Sequence, residues 1–331
     1  MNGNAENTSE NRGYGEQCSV EGKSWRSPPV KVGWERAIWL SAALAKRTAR
    51  VLLIDGDLGN GIISDRLEFH PKYNLAHFFL KERALVDLIE ETPFGFSLIA
   101  GERGNLALAN LNYLQEMRFL RSFIRVSRNF DFVVLDLASG IKRQAVDFAL
   151  LAEKTILVTP LDDLTSAYGS VRACFSRFME LETGLFQRIE GYTTRRFFRP
   201  LILTNHVTNL YQGEAAFEAL ESAAKKGINS AAVPFGIKMD HLGSIFHDPG
   251  LFEQSEERRC PVSLVSVYSK VALCIDSIAG TICARSPFRS FYEEQRLRYI
   301  IQVLMEQQQW LSKGLTRKAR KVPPIRIPHH H

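Results

Sequence analysis

No stretch of this 331-residue sequence approaches the roughly 18 consecutive apolar residues that a membrane-spanning helix needs. Met1 to Glu21 are polar and carry no apolar core of a secretory leader, so no export signal is predicted. The five cysteines, Cys18, Cys174, Cys260, Cys274 and Cys283, are dispersed without a Cys-x-x-Cys pair. That excludes the common zinc frameworks and points to a reducing compartment, hence a cytoplasmic protein. The eight histidines show no metal-ligand spacing, and no Cys–His or Ser–His–Asp arrangement stands out, so a nucleophilic hydrolase finds no support. The body also lacks a surplus of charge. All of the net +6 is matched by Lys313, Arg317, Lys318, Arg320, Lys321 and Arg326, in a terminal stretch without acids. The sequence pI of about 9.1 therefore describes a tail, and no sequence-specific nucleic-acid partner is expected.

What is present is an ordinary globular composition, 45% apolar and 24% charged, arranged around Val51-Leu-Leu-Ile-Asp-Gly-Asp57. Four uninterrupted apolar residues read as a strand buried on both faces, as in a parallel sheet covered by helices. Two acids close it, and in open α/β sheets ligands bind beyond the carboxyl ends of strands. Before it, the apolar pattern predicts a helix over Trp34 to Arg47. After it, short helical pieces are predicted over Gly61 to Leu67, Asn74 to Leu80 and Leu85 to Glu91. Further strands are expected at Phe96 to Ala100, Phe130 to Asp136 (read as buried), Thr155 to Pro160, Leu201 to Asn205 and Ala231 to Phe235. Helices are expected over Asn112 to Arg128, Asp147 to Leu151, Ser166 to Glu180 and Glu214 to Lys226. This alternation predicts an α/β fold, a doubly wound and mostly parallel sheet with helices on both faces. The expected organisation is a disordered tail (1–27), an α/β domain (28–285), a C-terminal amphipathic helix (286–315) and a basic tail (316–331).

Ala43-Leu-Ala-Lys-Arg47 leading into Val51 to Gly59, Tyr73-Asn-Leu-Ala-His77, Phe130 to Asp136, Ala138-Ser-Gly140, Ala167-Tyr168 and Arg199 to Asn205 occur in the order of a known family. The sequence resembles the MinD/ParA family of P-loop ATPases, most of all its flagellar-number branch, FlhG, from about Arg36 to Ala279. The resemblance implies an ATP–Mg²⁺ site in which Asp57 positions the attacking water, Asp55 and Asp136 surround the magnesium, and Asn205 reads adenine. It also implies a glycine-rich loop ahead of the first helix, whose backbone N–H groups and lysine hold the phosphates.

Counted back from Ala43, that loop reads Pro28-Pro-Val-Lys-Val-Gly-Trp-Glu35. The Walker lysine falls on Gly33, and the hydroxyl positions fall on Trp34 and Glu35. Proline has no N–H to donate, valine resists positive φ, and Glu35 adds negative charge where phosphates would sit. Lys31 is the lysine available after a shift of register. By resemblance, two readings follow. One is a pseudo-ATPase that regulates or scaffolds through protein partners, in flagellar or polar placement, with no ATP/Mg²⁺ or only weak binding. The other is an active ATP-dependent dimerisation switch at the inner membrane, with a homodimer built around ATP. A third reading takes Arg195-Arg-Phe-Phe-Arg199 as the grip of a cyclic-dinucleotide sensor. Near the C-terminus, Phe291 to Leu315 is read as helical, with Leu297, Ile300, Ile301, Leu304, Met305 and Leu311 on or near one face ahead of the basic tail. That face suits either a peripheral membrane surface or packing on the body or a partner.

Overall fold

The computed structural model describes residues 34–284, apart from 48, 189–191 and 229–233. The phosphate-loop residues Lys31 and Gly33 and the apolar positions Leu297, Ile301 and Leu304 lie outside the described residues, as do both tails. In chain order the elements are α1 (Trp34–Ala45), β1 (Val51–Gly56), α2 (Ile63–Arg66), α3 (Leu75–Phe79), β2 (Glu90–Glu91), β3 (Ser97–Ile99), α4 (Leu106–Ala109), α5 (Tyr113–Ser127) and β4 (Phe132–Leu137). They continue with α6 (Arg143–Leu151), β5 (Ile156–Pro160), α7 (Leu164–Arg188), β6 (Phe197–Phe198), β7 (Leu201–Val207) and α8 (Leu210–Ile228). The last are β8 (Gly236–Ile237), β9 (Asp240–Phe246), α9 (Pro249–Glu257), α10 (Val262–Val265) and α11 (Lys270–Ala284). Leu85–Leu88 forms a 3₁₀ turn.

Local sequence explains several boundaries. Asn74 starts α3 by accepting the Ala76 N–H at 3.0 Å. Asn112 and Gln115 form a reciprocal capping box at α5. Asp248 caps α9 ahead of a proline in its first turn, where a missing N–H costs nothing.

The strands form two parallel blocks. In one, β3, β1 and β4 lie side by side with β2 antiparallel on the outer edge; in the other the order is β5-β7-β9. A parallel pair, β6 with β8, stands apart. Among the described residues no pairing joins β4 to β5. The blocks are tied instead through their faces. Val51 and Leu53 of β1 and Leu201 and Leu203 of β7 share one apolar cluster with α1, α10 and α11. Leu52, Ile54 and Ile202 point the other way, into a cluster with α5, α6, α7 and α8. This is the alternation a sheet covered on both faces requires. No helix among the described residues is long and apolar enough to cross a membrane.

Three expectations need correction. Of the strand expected at Ala231 to Phe235, residues 231–233 lie outside the described set and Pro234 and Phe235 are not in a strand; the strand that pairs with β7 is Asp240–Phe246, which the apolar pattern does not predict. Its sequence, DHLGSIF, breaks the apolar run with a glycine and polar residues, so periodicity concealed it. Second, β4 is half-buried at every position, where its apolar run predicts a buried strand. It pairs only with β1 among the described residues, whereas β1 is paired on both sides and buried throughout. Third, α7 runs much longer than Ser166 to Glu180, and α11 was not anticipated.

Candidate functional site

Strand parity builds the site. Asp55 follows Val51 and Leu53 on the face covered by α1. It lies in register with Asp136 of β4, which continues the row of Phe132 and Val134 on that face. Asn205 continues the row of Leu201 and Leu203 at the end of β7. The fold thus brings Asp55, Asp136 and Asn205 to one face at the carboxyl ends of three strands.

Asp55 is 1% exposed, and its Oδ2 accepts the Ile63 N–H at 3.0 Å at the start of α2. Burial drives its pKa up to about 6, partly offset by backbone N–H donors. Asp136 is raised well above the usual carboxylate range, by burial first and then by the charges of Asp55 and Asp57. Gly101 packs against the Asp55 carboxyl so closely that a Cβ there would sit 2.9 Å from Cγ. Gly61 approaches Gly101 just as tightly, which closes the loop over the acid. Asp57 lies beyond the end of β1, half-buried, its carbonyl accepting the Asn60 N–H at 2.9 Å.

The third side of the site is a residue that the sequence did not single out. Arg36, in the first turn of α1, is 5% exposed. Its Nη2 donates to Asn205 Oδ1 at 3.3 Å and lies 3.0 Å from His206 Nε2. A guanidinium has nothing but donors, so His206 must accept through Nε2 and carry its proton on Nδ1. Burial, the Arg36 charge and His247 hold the His206 pKa down to about 4, which favours that neutral ring. The guanidinium also lies over the rings of Trp39 and Phe252, at 5.2 and 5.8 Å from their centroids. Glu35 forms an ion pair with it. Burial lowers the Arg36 pKa to about 10, leaving it charged at neutral pH. The available signal was positional: Arg36, Trp39 and Ala43 fall at i, i+3 and i+7, so a charged residue occupied the core face of an apolar helix.

Of the Arg195–Arg199 edge, Arg195 is engaged within the protein. Glu182, wholly buried, accepts from the Arg195 backbone N–H at 2.8 Å, from its side chain at 3.4 Å and from the Tyr192 hydroxyl at 2.9 Å.

No protein-family model matches the chain. The antiactivator FleN of Pseudomonas aeruginosa is 25% identical over 245 residues, 73% of this chain and 79% of FleN. The cell division ATPase MinD of Pyrococcus furiosus superposes with a TM-score of 0.54 at 21% identity, covering 76% of this chain and 93% of that one. MinD of Pyrococcus horikoshii, complexed with Mg-ADP, gives 0.52 at 19% identity, with 75% and 89% covered. The MinC:MinD complex of Aquifex aeolicus gives 0.52 at 17%, with 78% and 95% covered. The chain has the fold of the MinD and ParA ATPases.

The Pyrococcus horikoshii neighbour is complexed with Mg-ADP, and the described residues can be tested for a fit to that cation and nucleotide. Two adjacent carboxylates of raised pKa suit magnesium, a hard cation commonly held by one or two carboxylates with water completing the shell. Asp55 and Asp136 would hold it, and the bound charge would offset their repulsion. No group of three His, Cys, Asp or Glu side chains among the described residues could hold a metal ion. The nucleotide fits less well. The Asn205 side chain that would face a base is already engaged by Arg36, and Glu35 brings a carboxylate to the first turn of α1.

Proposed function

We propose that this protein is a MinD/ParA-family regulator that works by contact with protein partners and has lost rapid ATP turnover. The observation that carries this reading is a mismatch. Asp55, Asp136 and Asn205 lie at the carboxyl ends of their strands with Asp57 just beyond, while the segment leading into α1 reads Pro28-Pro-Val-Lys-Val-Gly33. A phosphate cradle needs several backbone N–H groups at glycine-like φ and a lysine beside the terminal phosphates. Two prolines and two valines remove most of it, and lost electrostatic stabilisation of that kind costs several kcal/mol in the transition state.

The similarity to FleN, named an antiactivator, suggests restraint of an activator protein as the mode of action, in flagellar or polar placement. In this reading the body spans 28–285, and Leu297, Ile301 and Leu304 of the 286–315 segment face a partner or the inner membrane from the cytoplasm. The second reading is an active ATP-dependent dimerisation switch in which Lys31 supplies the phosphate contact. The raised pKa values of Asp55 and Asp136 favour it, because a cation–nucleotide complex would relieve them. The cyclic-dinucleotide reading is disfavoured by the Glu182–Arg195 pairing. Calorimetric titration of the full chain with ATP–Mg²⁺ tests the proposal. It expects no heat above the buffer blank, whereas micromolar binding with turnover abolished by Asp57→Ala would establish the switch.

A further inference from the structure

We propose that Arg36 is a resident ligand of the Asn205–His206 rim, holding from within the chain the place a nucleoside base would need. This rests on the reading of the strand-end cluster as a MinD/ParA nucleotide site. A bound purine is a planar group that stacks on apolar and aromatic surface and is fixed by hydrogen bonds at its edge. The guanidinium of Arg36 makes the same set of contacts. It is planar, it lies over Trp39 and Phe252, and its edge meets Asn205 Oδ1 and His206 Nε2.

The surroundings are built for it. Trp39 is 3% exposed, with its ring centroid 5.2 Å from that of Phe252. His206 takes a left-handed backbone, φ +62°, rare for a residue with a side chain, and this backbone places its ring against His247 and Phe252.

The arrangement is not that of an ordinary structural arginine. Buried arginines are retained where their donors are met, yet Arg36 Nε finds no hydrogen-bond partner among the described residues. Nor does Asn205 Nδ2, which is wholly buried. An unmet amide donor beside an occupied acceptor is what remains when a ligand offering both edges is replaced by a group offering donors alone. Base exclusion is therefore separate from the loss of the phosphate cradle: repairing the loop between Pro28 and Gly33 would leave the base position filled.

The test uses adenosine, which carries no phosphate and so reports only on the base position. The full-length protein, Arg36→Met and Arg36→Met/Asn205→Leu are titrated by calorimetry, with circular dichroism and a thermal melt to confirm folding. Arg36→Met should bind adenosine at least about tenfold more tightly than the unaltered protein, and the second substitution should abolish the gain. Arg36→Lys, which keeps the charge but loses the planar fork, provides a second variant should the methionine fail to fold, and should also gain affinity. A folded Arg36→Met or Arg36→Lys protein that binds adenosine no better than the unaltered protein would overturn the proposal, as would unaltered protein binding it equally well. ATP–Mg²⁺ turnover by the unaltered protein would instead count against the proposed function, and the adenosine comparison between variants would still isolate Arg36.

Discussion

At the scale of single residues, the site is governed by what burial does to charge. Asp136 faces Asp55 across one ladder step, and its folded pKa is raised, so ionising it in the native state costs stability. That cost is absent below the unfolded carboxylate pKa, near 4, and grows as pH rises toward the folded value. Asp136→Asn keeps the shape and removes the charge. In magnesium-free buffer it should raise Tm at pH 8 and leave it nearly unchanged at pH 4, which paired melts across that range would read. An Asn variant that melts lower at pH 8 would mean that the carboxylate is stabilised by an attraction rather than strained by repulsion. The acids and Asn205 were legible because each ends an apolar run, a pattern that survives without neighbours. Arg36 was not, because its meaning depends on β7, some 170 residues away, delivering an amide and an imidazole to the first turn of α1.

Among elements, legibility followed the continuity of apolar residues. The strands at Val51 and Leu201 were legible because both faces are buried, so their sequence is uninterrupted. The last strand, β9, was missed because Gly243 sits inside it. That glycine has φ +141°, and a Cβ there would meet Ile278 Cγ1 of α11 at 3.3 Å. Gly243→Ala should therefore cost about 1–3 kcal/mol, since strain and crowding act together. Gly104→Ala is the comparison: φ is +74°, but nothing lies within 4 Å of the added carbon. It should cost less, about 1 kcal/mol, from the backbone alone. Chemical denaturation of the two variants side by side measures the difference, and equal costs would remove the packing part of the argument.

For the whole molecule, the two strand blocks share both of their apolar layers. Leu53 belongs to the layer with α1 and α11, Leu52 to the layer with α5 and α7, and each layer also contains residues of β7. Unfolding should accordingly be one transition. Leu52→Ala and Leu53→Ala should each lower the same Tm, at a cost of about 2–5 kcal/mol. Two separate transitions, one responding to each variant, would show that the blocks are independent. This shared layering was not readable from the sequence, which specifies which residues are apolar but not that β4 and β5 go unpaired with each other among the described residues.

On the proposed function, Asp55 and Asp136 would still suit magnesium while the grip on nucleotide, at both phosphate and base, is lost. A crystal grown with a non-hydrolysable ATP analogue and Mg²⁺ tests this most directly. The account expects no density for nucleotide at the strand ends, with Arg36 still on Asn205 and His206. Density for the analogue, with residues 28–33 wrapped around its terminal phosphates and Arg36 displaced from Asn205, would contradict it.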